Sequence, residues 1–463
     1  MAFIIRLLCV LFVIFAVTNY ITFGWRVANI DSTPTTFNNN CFVPAWNKLN
    51  TESTSEHFWN EVSKWLWIKL NLSSQNLHNN TENSIFAAYA YHDRIAVTIT
   101  SQHLSRQEIT CRYYDCERKE IPGSSWLGKV FPESVVECPR RYGAEYVSVS
   151  KNLNEPVPEP VKLIYRIHEE PVHELAVCVA PMYGHQPSWL PIVDFVEHNK
   201  LEGATHFYFY IGEISEYDNR MLNDYVRTGE VEVIRMQDKY QRIFLAWQFL
   251  QIQDCHLRSK YHSKWTAFID LDERLSTNGQ RMIDLLRSIQ DPAIGEVRMQ
   301  ILSIVKDQDY PAKFASLEKM KSELIFSKYN KTLAPSWQGQ KAIIKPNKVG
   351  IMSVHAAVAK FPGVKTLLLN STYAVVRHLR STKYRIYGSS WHLTPYENGT
   401  LPVFYETPLP KKFADTLKEA VIKRVLSVYE KIPVNCSTIP VELSESIRHP
   451  DPCVKSWPEF KRK

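Results

Sequence analysis

Nowhere in its 463 residues does the chain carry a C-x-x-C pair or a paired Cys/His spacing, so its nine cysteines lack the signature of a structural zinc fold. A polybasic block is equally missing. The 55 Lys and Arg are scattered among 48 Asp and Glu, giving a net charge of +7 without any aromatic-basic repeat. Charge spread in this way solvates a surface and offers no track for nucleic acid, which is excluded as an expected partner. A zincin helix is excluded too. His168 and His173 stand five apart with Pro171 between them, and no helix presents such a pair on one face.

What the chain does have is an apolar run at its start. Phe3 to Phe23 is apolar apart from Arg6 and the mild polar group Thr18, Asn19, Tyr20 and Thr22, near the ~20 residues that span a bilayer as helix. No clear small-x-small cleavage site follows, and the run ends in Trp25-Arg26, an interfacial flank. It reads as a signal anchor with everything after it luminal; the alternative is a cleaved signal peptide built on Leu7–Val17. Six N-x-S/T sequons, at Asn71, Asn79, Asn330, Asn370, Asn398 and Asn435, agree with passage through the secretory pathway. Beyond Cys9 stand Cys41, Cys111, Cys116, Cys138, Cys178, Cys255, Cys436 and Cys453, an even set suited to disulfides. Short loops favour Cys436 with Cys453 and a pair among Cys111, Cys116 and Cys138. Cys178 and Cys255 are either a disulfide or two buried thiols.

With 44% hydrophobic residues the chain is long enough for two domains, or for one with a long extension. Residues 1–25 form the anchor and 26–84 an Asn/Ser/Thr-rich stem that also holds Trp46, Phe58, Trp59, Trp65 and Trp67. Residues 85–160 read as a small β-rich module, with short runs at Ala87–Tyr91, Arg94–Thr100 and Tyr146–Val149, ending in the Pro-rich joint Asn152–Pro160. Residues 161–435 are the expected catalytic domain, closed by a core-facing helix through Phe413, Leu417, Val421, Val425, Val428 and Ile432, and 436–463 form a tail.

Within the catalytic domain an apolar strand followed by an amphipathic helix recurs three times. Leu175–Met182, Thr205–Ile211 and Val231–Met236 read as strands; Pro187–Leu201, Glu216–Thr228 and Lys239–Arg258 read as helices, with Gly203 and Gly229 at two of their ends. Trp265–Leu271 is the fourth strand. Right-handed βαβ units of this kind predict an α/β fold with a mostly parallel sheet flanked by helices.

The fourth strand ends abruptly in Asp270, Asp272 and Glu273. Strand alternation would put Asp270 and Asp272 on one face, converging on a single cation at the carboxyl end of the strand, where open α/β sheets bind ligands. Two solvated carboxylates, or a cap for the next helix, are the bland alternative. A metal-assisted nucleotide-sugar site is the functional one. In such a donor the diphosphate leaves, and a divalent cation across both phosphates stabilises the charge that grows there.

Several segments in order, AVCVAPMYG (176–184), WLPIVDFVEHNKLEGA (189–204), HFYFY (206–210), Asp254-Cys255, WTAFIDLDE (265–273) and KAIIKPNKVGIMSVHA (341–356), resemble glycosyltransferase family 92. The resemblance runs over roughly Leu175 to Arg380. It implies a GT-A type fold, a type II Golgi membrane protein, and an inverting, metal-dependent transfer from a UDP-sugar donor, usually UDP-galactose, to a glycan on a glycoprotein or glycolipid. In the family's pattern Asp272 ligates the metal directly and Asp270 binds ribose or a metal-bound water, with Glu273 orienting them.

Further site residues follow with their alternatives. His355 is a candidate third ligand, and an imidazole beside carboxylates suits Mn²⁺ better than Mg²⁺; otherwise it is a hydrogen-bonded histidine in a core strand. Lys341, Lys345, Arg377 and Arg380 are candidates to hold the diphosphate. Asp307 and Asp309, after the predicted strand Val297–Val305, are candidates for the general base that takes the acceptor's proton, or else solvated loop residues. Tyr310, Trp337 and Trp391 are candidates to stack on sugar rings. Two rival functions stay open: a catalytically silent carbohydrate-binding protein of the same fold, and a secreted metal-dependent hydrolase.

Overall fold

The structure, a computed structural model, describes residues 84–430 apart from 101–103, 133, 184–186, 239–243 and 382–402. The apolar N-terminal segment, the stem up to residue 83, Trp391, Ile432, Cys41, Cys436, Cys453 and four sequons (Asn71, Asn79, Asn398 and Asn435) lie outside the described residues. Among those described, no helix is long and apolar enough to cross a membrane.

The strand-helix repeats form as the periodicity predicts. Strands β1 (His173–Met182), β2 (His206–Ile211), β3 (Val231–Arg235) and β4 (Ser263–Ile269) pair in parallel in the order β3-β2-β1-β4. Helices α1 (Trp189–Leu201), α2 (Glu216–Arg227) and α3 (Phe244–Ser259) connect them. All six residues of β2 are buried, which is why a parallel strand covered on both faces reads as a continuous apolar run. Ser215 caps α2 by accepting from the Asp218 N–H at 3.0 Å. Gly203 ends the turn after α1 at φ +101°, where a Cβ would collide with Ile283.

Beyond β4 the mostly parallel sheet gives way to a mixed one. The chain turns directly from β4 into β5 (Glu273–Thr277) without a crossover helix, and a parallel return needs one. Strand β7 (Ser336–Ile344) then runs antiparallel to both β4 and the long β6 (Ile294–Lys306). Strand β8 (Ala374–Ser381) lies parallel to β6 and antiparallel to β5, so the 11-stranded sheet curls back towards the end of β4. The expected C-terminal helix is α4 (Lys411–Val425), which buries Leu417, Val421 and Val425 completely, while Phe413 is partly buried with its ring 4.9 Å from that of His198.

The β-rich module makes two four-stranded sheets, joined by a Cys111–Cys138 disulfide. Its pairing runs on through Val161–Lys162 and Ile164–Tyr165, past the Pro-rich joint. The module docks on α3 around Asp254, which is fully buried and accepts hydrogen bonds from Tyr89 (2.7 Å), Thr98 (2.7 Å) and Tyr210 (2.6 Å) while Arg258 lies 3.2 Å away. Cys178 and Cys255 are a disulfide, tying β1 to the same helix.

Two buried histidines give this core a pH dependence. His198 on α1 donates from Nε2 to the Leu275 carbonyl at 2.8 Å, and His256 on α3 to that of Pro346 at 3.0 Å. Burial first, then neighbouring cations, pushes both down to about 3. A histidine pKa lowered on folding adds stability above its unfolded value of about 6.5, and that stability is lost as pH falls towards the folded value. Glu202, pushed up to about 7 by burial, acts in the opposite sense between about 4.5 and 7 and offsets one histidine. Stability should therefore fall as pH drops below 6.5. In His198→Gln the slope should lessen by up to about 1.4 kcal/mol per pH unit, read from urea midpoints at successive pH values.

Candidate active site

Strand β4 ends at Ile269, and Asp270, Leu271 and Asp272 form the turn into β5. The Glu273 N–H closes the turn on the Asp270 carbonyl at 2.9 Å, and the Asp270 N–H donates to Glu273 Oε2 at 2.8 Å. The two aspartates thus lie beyond the strand, where pleat alternation no longer orients them. Their poses come instead from the groups on either side. The turn sits beside β1, where the strand order reverses, the place at which sheets of this type leave a crevice outside their carboxyl ends.

Five charged groups are linked there. Lys341 on β7 places Nζ 3.0 Å from Asp270 Oδ2 and 2.9 Å from Glu273 Oε2. His378 on β8 places Nδ1 3.1 Å from Glu273 Oε1 and Nε2 3.3 Å from Asp272 Oδ2. Glu273 and Lys341 are closed to solvent, with side chains 0% and 3% exposed, whereas those of Asp270 and Asp272 are 34% and 47% exposed. The inner pair holds the turn; the outer carboxylates are part-exposed to solvent.

The electrostatics follow this division. Burial alone would raise Asp272, but His378, followed by Lys341 and Arg380, holds it down to about 2. Burial and then the charge of Asp270 push Glu273 up against the opposing pull of Lys341. His378 is raised because Asp272 and Glu273 outweigh its burial, and Lys341 is raised because Asp270 and Glu273 outweigh its own.

On the opposite face, Arg274 locks the turn to α1. Its Nε pairs with the buried Asp194 at 2.8 Å, and Nη1 donates to the carbonyls of Leu271 at 2.6 Å and Glu273 at 2.9 Å. The Leu379 N–H donates to the Asp272 carbonyl at 2.8 Å.

The other expected residues divide between those brought to this turn and those that are not. Arg380 follows His378 by two residues on β8 and acts on the charge of Asp272. His355 is exposed in the turn between Val349–Met352 and Ala357–Lys360, with Nδ1 3.1 Å from the Gln340 carbonyl oxygen; it stands outside any core strand. Burial, then Lys341, lowers it while Asp270 raises it, so it feels the same charges. Asp307 and Asp309 are exposed just beyond β6, whose Val305 and Lys306 pair with Arg380 and Ser381. Tyr310, packed under Lys306 with Nζ 3.8 Å from its ring centroid, feels Arg274 and Asp272. Trp337 is exposed on β7.

Arg377 does not reach the acidic turn. It alternates with His378 and so faces the Asp194 side, where it donates to Thr407 Oγ1 at 2.9 Å and to the Thr407 carbonyl at 2.7 Å. Lys345 lies at the opposite end of β4, with Nζ 4.6 Å from the Trp265 ring centroid. That is five residues from Asp270, or about 16 Å along a strand. Nor are Asp270, Asp272 and His355 gathered into one tight three-ligand group; the only such group among the described residues is His173, His206 and His262.

Sequence reasoning missed His378, Arg274 and Asp194. His378 faces Glu273 only through the β5–β8 register, Glu273↔His378, which no motif spacing encodes. Arg274 had a signal: it directly follows the acidic run, and a charge so placed beside an apolar strand needs a buried partner.

Residues 173–417 match Glycosyltransferase family 92. Among curated proteins, the chain is 24% identical over 243 residues to beta-1,4-galactosyltransferase galt-1 of Caenorhabditis elegans, covering 48% of this chain and 54% of that one. It is 38% identical over 72 residues to galactan beta-1,4-galactosyltransferase GALS1 of Arabidopsis thaliana, covering 15% of this chain and 14% of that one. The chain thus spans about half the length of the first relative and far less of the second. Among solved structures, glucosyl-3-phosphoglycerate synthase from Mycobacterium tuberculosis aligns at 8% identity over 57% of this chain and 82% of that one, with a TM-score of 0.22, too low to bear on the fold. The family match takes in more than half of the chain, including every strand that supports the acidic turn, and on that footing the chain belongs to glycosyltransferase family 92.

Proposed function

We propose that the protein transfers a hexose, galactose, from a UDP-sugar to a glycan acceptor with inversion, on a GT-A type catalytic domain held in the Golgi lumen by the N-terminal anchor. The observation that carries the reading is the acidic turn itself, a pair of half-exposed aspartates backed by a buried, charge-matched glutamate in a chain of this family. The galactose donor rests on the family and on the likeness to two beta-1,4-galactosyltransferases.

Asp270, Asp272 and His355 are the donors that this reading gives to a divalent ion, which would have to draw His355 in, since the three do not form one tight group here. Asp270 and Asp272 keep part-exposed carboxylates, and His355 offers an exposed imidazole within reach of their field. Two carboxylates with an imidazole suit Mn²⁺ better than Mg²⁺. When bound, the ion would offset the charge that grows on the departing diphosphate. Lys341 and His378 hold the two carboxylates in place before any ligand arrives, so that little reorganisation is needed during reaction. Arg380, which acts on the charge of Asp272, would bind the diphosphate. Asp307 or Asp309 takes the proton of the acceptor hydroxyl from the side away from the nucleotide, and the aromatic face of Tyr310 borders that side.

The reading is tested with the purified protein, a panel of UDP-sugars, Mn²⁺ or EDTA, and a mixed glycan pool, following product mass. A manganese-dependent gain of one hexose, abolished in Asp272→Asn while the unfolding midpoint stays within about 1 kcal/mol of wild type, is expected. Sugar-nucleotide cleavage without glycan extension would identify a hydrolase, and glycan binding without turnover a silent lectin-like protein. A second prediction concerns Glu273→Gln, which leaves Lys341 and His378 buried without their shared counter-charge. It should cost about 3 kcal/mol or more in urea denaturation and lower the His378 pKa in an NMR titration.

A further inference from the structure

Three histidines converge at the end of the sheet remote from the acidic turn. His173 opens β1, His206 opens β2, and His262 directly precedes β4. Parallel pairing of these strands sets their amino ends side by side, and the His173 N–H donates to the His262 carbonyl at 3.0 Å. One ring nitrogen from each histidine lies within 4.8 Å of the others. The rings of His173 and His206 stack at 4.4 Å between centroids, and His262 stands edge-on to His173 at 4.9 Å.

His206 is 8% exposed, yet among the described residues neither of its ring nitrogens has a partner at hydrogen-bond distance. A buried polar group left in that state calls for an explanation. The closest acid is Glu232, whose Oε2 is 3.8 Å from His206 Nε2 and whose carboxylate is already engaged by Arg258 at 2.5 Å and Arg166 at 3.4 Å. The other two histidines are oriented from behind. His173 Nδ1 is 3.1 Å from Thr205 Oγ1, and His262 Nδ1 is 2.5 Å from the Tyr208 hydroxyl, which in turn lies 3.2 Å from Ser263 Oγ. In the tautomer that carries the proton on Nδ1, these two contacts would be donated outward and leave the Nε2 lone pairs for an ion, the arrangement in which outer hydrogen bonds fix the tautomer of a metal-binding histidine.

From this geometry we propose that His173, His206 and His262 bind one zinc-class divalent transition ion. Three imidazoles select zinc, copper or nickel over manganese and magnesium, so the site is chemically separate from the carboxylates at the far end of the strands. Zinc–nitrogen bonds of about 2.0–2.1 Å place tetrahedral donors about 3.3 Å apart, and side-chain rotations on the order of an ångström close the observed group to that spacing, with water in the fourth position. Arg166 is the neighbouring cation that opposes an ion here, and Glu232 offsets it. The ion would staple the amino ends of β1 and β2 to the turn before β4, a stabilising role that leaves sugar transfer to the other end of the sheet.

The experiment uses the EDTA-treated full chain, titrated with Zn²⁺ by calorimetry and by thermal unfolding, beside His173→Ala and His206→Ala. Expected are uptake at one site, a rise in Tm, and a tetrahedral absorption spectrum when Co²⁺ replaces Zn²⁺; affinity should fall at least tenfold in each variant. His173 is half-buried and its side chain has only the Thr205 hydroxyl as hydrogen-bond partner, so its replacement keeps the test open if His206→Ala does not fold. Folded wild type that takes up no Zn²⁺, or uptake unchanged in His173→Ala, overturns the proposal.

Discussion

Glu273 is the residue on which the site depends. A carboxylate closed to solvent is costly to ionise, and it persists here because Lys341 and His378 stand on either side of it at 2.9 and 3.1 Å. Each of those partners reaches past Glu273 to one of the exposed aspartates. A single buried charge therefore fixes two cations, and the cations fix two carboxylates at the mouth of the crevice. Removing either cation would leave an uncompensated charge in the interior, so the geometry of the outer carboxylates is coupled to the stability of the inner pair.

Strand alternation gives the turn a second anchor. Glu273 and His378 share one face of the β5–β8 pair; Arg274 and Arg377, next in register, take the other, where Arg274 pairs with the buried Asp194 from α1 and Arg377 feels its charge. Arg274 grips the carbonyls of Leu271 and Glu273 from that side. The turn is clamped between an ionic cluster above the sheet and a buried ion pair below it, leaving little freedom in the backbone that carries Asp270 and Asp272.

Much of this was legible in the sequence. The runs at Leu175–Met182 and Thr205–Ile211 became parallel strands because nearly all their residues are buried, on both faces, and burial is what composition records; Val231–Met236 joins them as the edge strand, where only part of the run is buried. The position of the acidic turn at the end of β4 was legible for the same reason. Strand direction beyond β4 was not, since an apolar run looks the same in either orientation, and Val297–Val305 and Lys341–Ile344 gave no hint that they would pair antiparallel. The places of Lys345 and Arg377 were not legible, because a position in the sequence fixes neither the end nor the face of a strand at which a side chain emerges.

The antiparallel half of the sheet is also what supplies the counter-charges. Pairing of Phe268 with Ala342 carries Lys341 alongside the end of β4, where a parallel neighbour entering by its amino end would have set that residue at the other edge. The return of β8 against β5 sets His378 opposite Glu273. In a wholly parallel sheet, Asp270, Asp272 and Glu273 would face one another at a strand end with only helix termini and solvent to offset three negative charges, and one or more would be driven to protonate. The departure from the parallel pattern is thus the feature that sets counter-charges beside three closely packed acids, two of which stay part-exposed to solvent.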